Sequence, residues 1–215
     1  PTVYRRWPDT QAILAALRDA PFVEDRPAMQ HAEAIFTALE HEAMHQETLL
    51  YMWHRLPYEQ KRAPGALHYE RGGEPLRRGA VSIPAGRATL GADRSAILFG
   101  WDNEFDAHQV DVGPFEIDVD NVTNAEFVEF IDAGGYEARA LWSEDGWHWR
   151  EQESVTHPAF WVRDGSRWLW RGMFESLELP ADWPVYVSVE EAAAFARWRG
   201  RRLPTEVEYH RAAFG

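Results

Sequence analysis

The chain has 215 residues, 45% of them apolar and including 11 Trp and 11 Phe, which is enough to pack a sizeable core. Its 22 Lys and Arg stand against 35 Asp and Glu, a formal charge of −13 with no basic cluster, which argues against nucleic acid and anionic membrane surfaces as partners. Zero cysteines exclude disulfides, thiolate metal sites and a cysteine nucleophile within these residues.

The N-terminus PTVYRRWPDT has no secretory apolar core, and no apolar run approaches the ~20 residues that span a bilayer. A cytoplasmic protein is expected. Residues 9–56 read as helices. Asp9 or Thr10 caps a first one carrying Ile13, Leu14 and Leu17. A second starts at Asp25, with Pro27 in its first turn, and runs to Leu56 before Pro57. Met29, Ala32, Ile35, Phe36, Leu39, Ala43, Leu50 and Trp53 recur along it at helical spacing. Residues 57–80, with Pro57, Pro64, Gly65, Gly72, Gly73 and Pro75 among charges, read as a linker. Beyond it the texture changes to short strand-like runs, VSIPAG, RATLGA, HQVDVGPFEIDV and WPVYVS, separated by long loops rich in Trp. Three helix starts carry a capping box: Thr123 with Glu126, Ser188 with Glu191, Thr205 with Glu208. Gly134, Gly135 and Gly200 read as helix terminators.

The chemistry concentrates in HEAMHQE, His41 to Glu47. On a helix His41 and His45 lie ~40° and ~6 Å apart, a good bite for one metal ion. Read literally, His-Glu-x-x-His is a zinc-peptidase motif. The metzincin form fails, because Thr48 and Tyr51 stand where it needs Gly and His. A peptidase taking Glu59 or Glu70 as a further ligand stays open, with Glu42, ~80° from the pair, as its base. His31 is ~15 Å from His41 along the axis and is too far away to share its ion. Glu47 projects ~140° from the middle of the pair, which suits a supporting role better than ligation. Asp93, Asp102, Glu104 and Asp106 read as a solvated acidic loop rather than a calcium site.

The strings VSIPAGRATLGA, FGWDNEFDAHQVDVGPFEIDVDNVTNAEFVEFIDAGGY and WPVYVSVEEAAAFARWRGRRLPTEVEYHRAAFG resemble the formylglycine-generating-enzyme (sulfatase-modifying factor) family. NVTNAEF and GRRLPTEVEY carry the resemblance most densely. FGWDNE and LWSEDGWHW are most similar to the sulfoxide synthases of ergothioneine and ovothiol biosynthesis. That resemblance implies an α+β chain: a DinB-like helical bundle followed by a C-type-lectin-like α+β domain, incomplete at both ends. The expected divisions are 1–62 helical, 63–80 linker and 81–215 lectin-like. His41, His45 and Glu47 match the family's His-x3-His-x-Glu, so the resemblance implies Fe(II) on His41 and His45, with Glu47 behind them and a third ligand upstream. It further implies O2-dependent C–S bond formation between a thiol, cysteine or γ-glutamylcysteine, and imidazole C2 of trimethylhistidine, or a selenoneine or ovothiol variant. The alternatives are a formylglycine-generating oxidase on the same fold and a zinc metallopeptidase built on HEAMH.

Overall fold

The structure is a computed structural model and describes residues 26–65, 79–97 and 99–215. The first expected helix, with Ile13, Leu14 and Leu17, and the linker residues 66–78, including Glu70, lie outside them. Helix and sheet are mixed, as expected. The described elements are α1 (Arg26–Arg55), β1 (Ala80–Ile83), β2 (Gly86–Leu90), β3 (His108–Val112), β4 (Phe115–Asp118), α2 (Asn124–Asp132), α3 (Glu144–Gln152), β5 (Trp161–Asp164), β6 (Arg167–Arg171), β7 (Ser176–Glu178), α4 (Val189–Trp198) and α5 (Glu206–Phe214). Among the described residues no helix is long and apolar enough to cross a membrane.

The chain divides into two compact units. One comprises the chain up to Tyr51 with Ala92–Asp106. In it the 92–106 segment is shaped by its own bonds: Ala92 N–H donates to Glu104 O at 2.7 Å, and Trp101 N–H to the Glu104 carboxylate at 2.7 Å. Phe99 stacks on Phe36 of α1 with ring centroids 5.9 Å apart. From Glu33 to Tyr51 the helix is mostly exposed, Met44, Leu49 and Tyr51 each by half or more.

The other unit comprises Met52–Gly91 and Ala107–Gly215. Its strands form three antiparallel sheets: β1 with β4, β2 with β3, and β5–β6–β7. The β1–β4 register runs from Ala80 opposite Asp118 to Ile83 opposite Phe115, and β2–β3 from Gly86 opposite Val112 to Leu90 opposite His108. The main core joins Phe127 and Phe130 of α2, Ala194 and Phe195 of α4, and Tyr136, Trp142 and Trp161. Phe127 and Phe195 stack at 5.4 Å, and the other rings meet tilted or edge-on, which aromatic quadrupoles favour. A smaller core of Ala88, Leu90 and Val112 lies under Val207 of α5.

The helix starts follow the sequence. Thr123, Ser188 and Thr205 each accept a bond from the third helical N–H, and Glu126, Glu191 and Glu208 each reach back to the cap, so the three capping boxes form. Gly134 and Gly200 end helices with φ of 78° and 68°, the left-handed region that glycine enters at no steric cost. Gly135 acts differently: a Cβ there would run into the Phe130 ring, so its small size is required by packing.

Two expectations are corrected. WPVYVS is not a strand. It crosses the start of α2, where Val185 N–H donates to Val122 O and Trp183 O accepts from Asn124 N–H, leaving only a single bridge between Pro184 and Thr123. The Trp-rich loops, conversely, contain α3 and the three strands β5 to β7.

Candidate metal centre

On α1 the two histidines converge. The His41 and His45 Nε2 atoms stand 3.1 Å apart, the rings meeting edge to face with centroids at 4.4 Å. Two imidazole nitrogens each ~2.1 Å from one ion are about 3.0 Å apart at a right angle and about 3.4 Å apart at a tetrahedral angle. The observed separation therefore fits two adjacent ligands of a divalent ion, closer to octahedral than to tetrahedral spacing. The same distance also suits a hydrogen bond in which one ring N–H donates to the other ring's lone pair. Both rings are exposed.

The neighbouring polar groups on the helix are turned to other partners. The Glu47 carboxylate accepts the Tyr51 hydroxyl one turn on, and Glu42 accepts from Gln46 at 3.4 Å. The Thr48 hydroxyl donates to Met44 O at 2.9 Å. Glu47 thus does not bond either histidine; its contact is with Tyr51. Among the described residues no set of three or more His, Cys, Asp or Glu side chains is placed to hold an ion.

Beside the pair, an open cleft of about 870 Å³ runs between α1 and the 99–103 segment of the same unit, with Glu33, Thr37, Met44, Phe99 and Trp101 among its walls. Thr37, His41 and Met44 share one helical face at spacings of four and three, so the cleft continues the face that carries His41. The acidic segment next to it is engaged locally. Asp93 accepts both the N–H and the hydroxyl of Ser95, which lowers its carboxyl pKa, while Asp102 and Asp106 face Arg94 at 3.9 Å.

Two of the other described histidines, His157 and His54, have structural partners. His157 sits beside Trp168, shares a hydrogen bond with Thr156 at 2.8 Å, and has its pKa lowered mainly by burial. His54, on the last turn of α1, lies flat on Phe160 and donates from Nε2 to Arg171 O at 2.7 Å. The partner of His54 lies 117 residues away, so no local sequence pattern marks the pair.

Residues 69–215 match the family model of the sulfatase-modifying factor enzyme 1-like domain. Over 216 aligned residues the chain is 39% identical to a hercynine oxygenase of Mycolicibacterium thermoresistibile, covering 94% of this chain and 43% of that protein. A hercynine oxygenase of Mycolicibacterium smegmatis is 39% identical, covering 88% of this chain and 42% of that protein. The formylglycine-generating enzyme of Streptomyces coelicolor is 33% identical over 64% of this chain and 48% of its own length. The chain thus spans less than half the length of these relatives. With the model matched from residue 69 to the last residue, the chain belongs to the sulfatase-modifying factor enzyme 1-like domain family.

Proposed function

We propose that this chain is part of an iron(II)- and O2-dependent sulfoxide synthase that joins a thiol to imidazole C2 of trimethylhistidine, with His41 and His45 as two of the iron ligands. The observation that carries the reading is the 3.1 Å approach of the two Nε2 atoms, in a chain similar to hercynine oxygenases over 94% of its length. That coverage leaves out too few residues to omit α1. The relatives named formylglycine-generating enzyme cover 60–68% of the chain, about the extent of the mixed segment alone.

The reaction balances as thiol plus imidazole C–H plus O2 giving the aryl sulfoxide and water: the C–H and S–H bonds break, C–S and S=O form, and O2 takes four electrons. Bound iron supplies O2 activation and an open coordination position for the thiol sulfur. The protein's part is placement. The two imidazoles present nitrogen donors one helical turn apart. Glu47 and Tyr51, joined one turn along, stiffen the exposed side of the same helix. The cleft along Thr37 and Met44 offers a wall for a small molecule on the His41 face. The third ligand comes from outside the described residues. In the same reading α1 is one helix of a DinB-like bundle, in which its exposed Leu49, Leu50, Met52 and Trp53 would be covered by other helices.

A second reading, oxidation of a peptide cysteine to formylglycine, is favoured by the similarity to formylglycine-generating enzymes. It gives the His41–His45 pair no task. The test is metal analysis of anaerobically purified intact protein, followed by O2 uptake with trimethylhistidine and either cysteine or γ-glutamylcysteine. Stoichiometric iron and O2 consumption that needs both organic substrates is the expected result. Zinc that cannot be replaced by iron, or formylglycine formation without trimethylhistidine, would overturn the proposal.

A further inference from the structure

The last turn of α1 is fastened to β6 by a reciprocal pair of bonds, all within the unit that holds Met52–Gly91 and Ala107–Gly215. The His54 ring donates to the Arg171 backbone carbonyl at 2.7 Å. The Arg171 side chain returns the bond, donating from Nη1 to the His54 carbonyl at 2.5 Å and from Nη2 to the Leu56 carbonyl at 2.7 Å. These carbonyls belong to the helix end, where no amide of the helix can reach them, so Arg171 caps α1 from a strand more than a hundred residues away. Lys61 Nζ also donates to His54 O at 3.3 Å. Tyr58 supports the guanidinium with its ring and bonds Gly172 O and Ser176 Oγ, each at 3.2 Å.

The ring is held in one protonation state by this arrangement. Donation from Nε2 to a carbonyl fixes the Nε2–H tautomer and leaves Nδ1 bare. Phe160 covers one face at a centroid distance of 4.0 Å with an interplanar angle of 1°, and Trp170 approaches edge-on. The charged groups facing the ring are Arg171 from β6 and Lys61 from the segment after the helix, both cations; Tyr58 is the titratable neighbour, its hydroxyl turned to Gly172 and Ser176. A second proton would place a third positive charge among them in a half-buried setting. The carbonyls of Arg171 and Gly172 favour that proton, and burial together with the two cations outweighs them, so the pKa lies below its ordinary value.

We propose that His54 and Arg171 form a proton-sensitive clamp: the neutral ring completes the reciprocal bonds that dock the end of α1 on β6, and a charged ring, pressed against Arg171 and Lys61, releases it. Well above pH 6.5 the ring is neutral whether docked or free, and the clamp is at full strength. As pH falls through 6.5 the released ring takes a proton that the docked ring refuses. The ratio of docked to released helix end then falls, approaching about tenfold per pH unit for as long as the docked ring stays neutral.

Hydrogen–deuterium exchange on the intact protein tests this, comparing peptides from residues 52–61 and 189–198 at pH 7.5 and 5.5 after correction for the intrinsic exchange rate. In the parent protein, protection of 52–61 falls several-fold at pH 5.5 while the α4 peptide keeps its own. His54→Gln, which places a non-titrating N–H near the Nε2 position, keeps 52–61 protected at both pH values. Arg171→Ala loses that protection at both. Equal protection of 52–61 at the two pH values in the parent, loss of the α4 peptide along with it, or the same acid loss in His54→Gln would overturn the clamp. Titration of His41 or His45 cannot imitate the expected pattern, because both remain in the His54→Gln variant.

Discussion

Arg202 grips both carboxylate oxygens of Glu208, Nη1 to Oε2 at 2.7 Å and Nη2 to Oε1 at 2.6 Å, while Glu208 also takes the Thr205 N–H at 2.8 Å. Glu208 is 9% exposed, so the pair closes the start of α5 over the small core of Ala88, Leu90 and Val112. The fork, first, and the cap bond together hold the Glu208 carboxyl down at about 2. A carboxyl so depressed contributes stability that is fully present above its unfolded value of 4.5 and is lost as pH falls from there toward 2. Glu208→Gln keeps a capping side chain and loses the ion pair. It should cost about 1–2 kcal/mol at pH 7 and shallow the acid slope, read from urea midpoints between pH 7 and 3. An unchanged acid slope would show that the fork is screened by solvent at the exposed Arg202.

Replacing His41 or His45 by Ala should separate metal binding from folding. Both rings are exposed, so each substitution should move the unfolding free energy by no more than about 0.5 kcal/mol. Under the proposed function the two donors at 3.1 Å serve one ion, so iron uptake by the intact protein should fall to background in either variant. Retention of iron in His45→Ala would place the ion elsewhere.

Both of these sites are legible in the sequence, whereas other parts of the fold are not. The capping boxes and the His41–His45 approach are set by residues three and four apart, where helix geometry fixes the distance, and both could be read from spacing alone. The β5–β6 hairpin carried a signal that passed unread: Asp164-Gly165, with Gly165 at φ 59°, sits between WVR and SRWLWR. Dense Trp and Arg on both faces hid the alternation that marks a strand. Helix α3 starts at Ser143, which accepts from Gly146 N–H; the third helical position is glycine, so no capping-box pattern announces it. WPVYVS misled in the opposite direction, because its alternation is real but its backbone groups are spent on residues 122–124. His54 with Arg171, and Tyr136 with Glu191, depend on where distant segments meet, which periodicity does not encode.

Phe127 is the strongest test of the main core. It is wholly buried, stacked on Phe195 and in contact with Phe130 and Trp161. Truncation leaves a void among rigid rings that cannot collapse to fill it. Phe127→Ala should cost about 3–5 kcal/mol, whereas Phe127→Leu should lose much less. Chemical denaturation monitored by Trp fluorescence measures both.

Tyr136→Phe isolates a single buried bond at the same core. The Tyr136 hydroxyl donates to Glu191 Oε1 at 2.5 Å, and the two residues are 1% and 3% exposed. The other Glu191 oxygen already serves the Ser188 N–H, so the carboxylate is divided between a tyrosine 55 residues away and its own helix cap. Burial first, and then the negative charge of Glu191, push the Tyr136 hydroxyl well above its ordinary pKa, which keeps it a donor throughout the accessible range. Removing the hydroxyl leaves the ring packing in place and strands one buried carboxylate oxygen, so the variant should lose about 1–3 kcal/mol. Urea melts of parent and variant at pH 7 measure that loss; a variant as stable as the parent would mean that water takes the place of the lost hydroxyl.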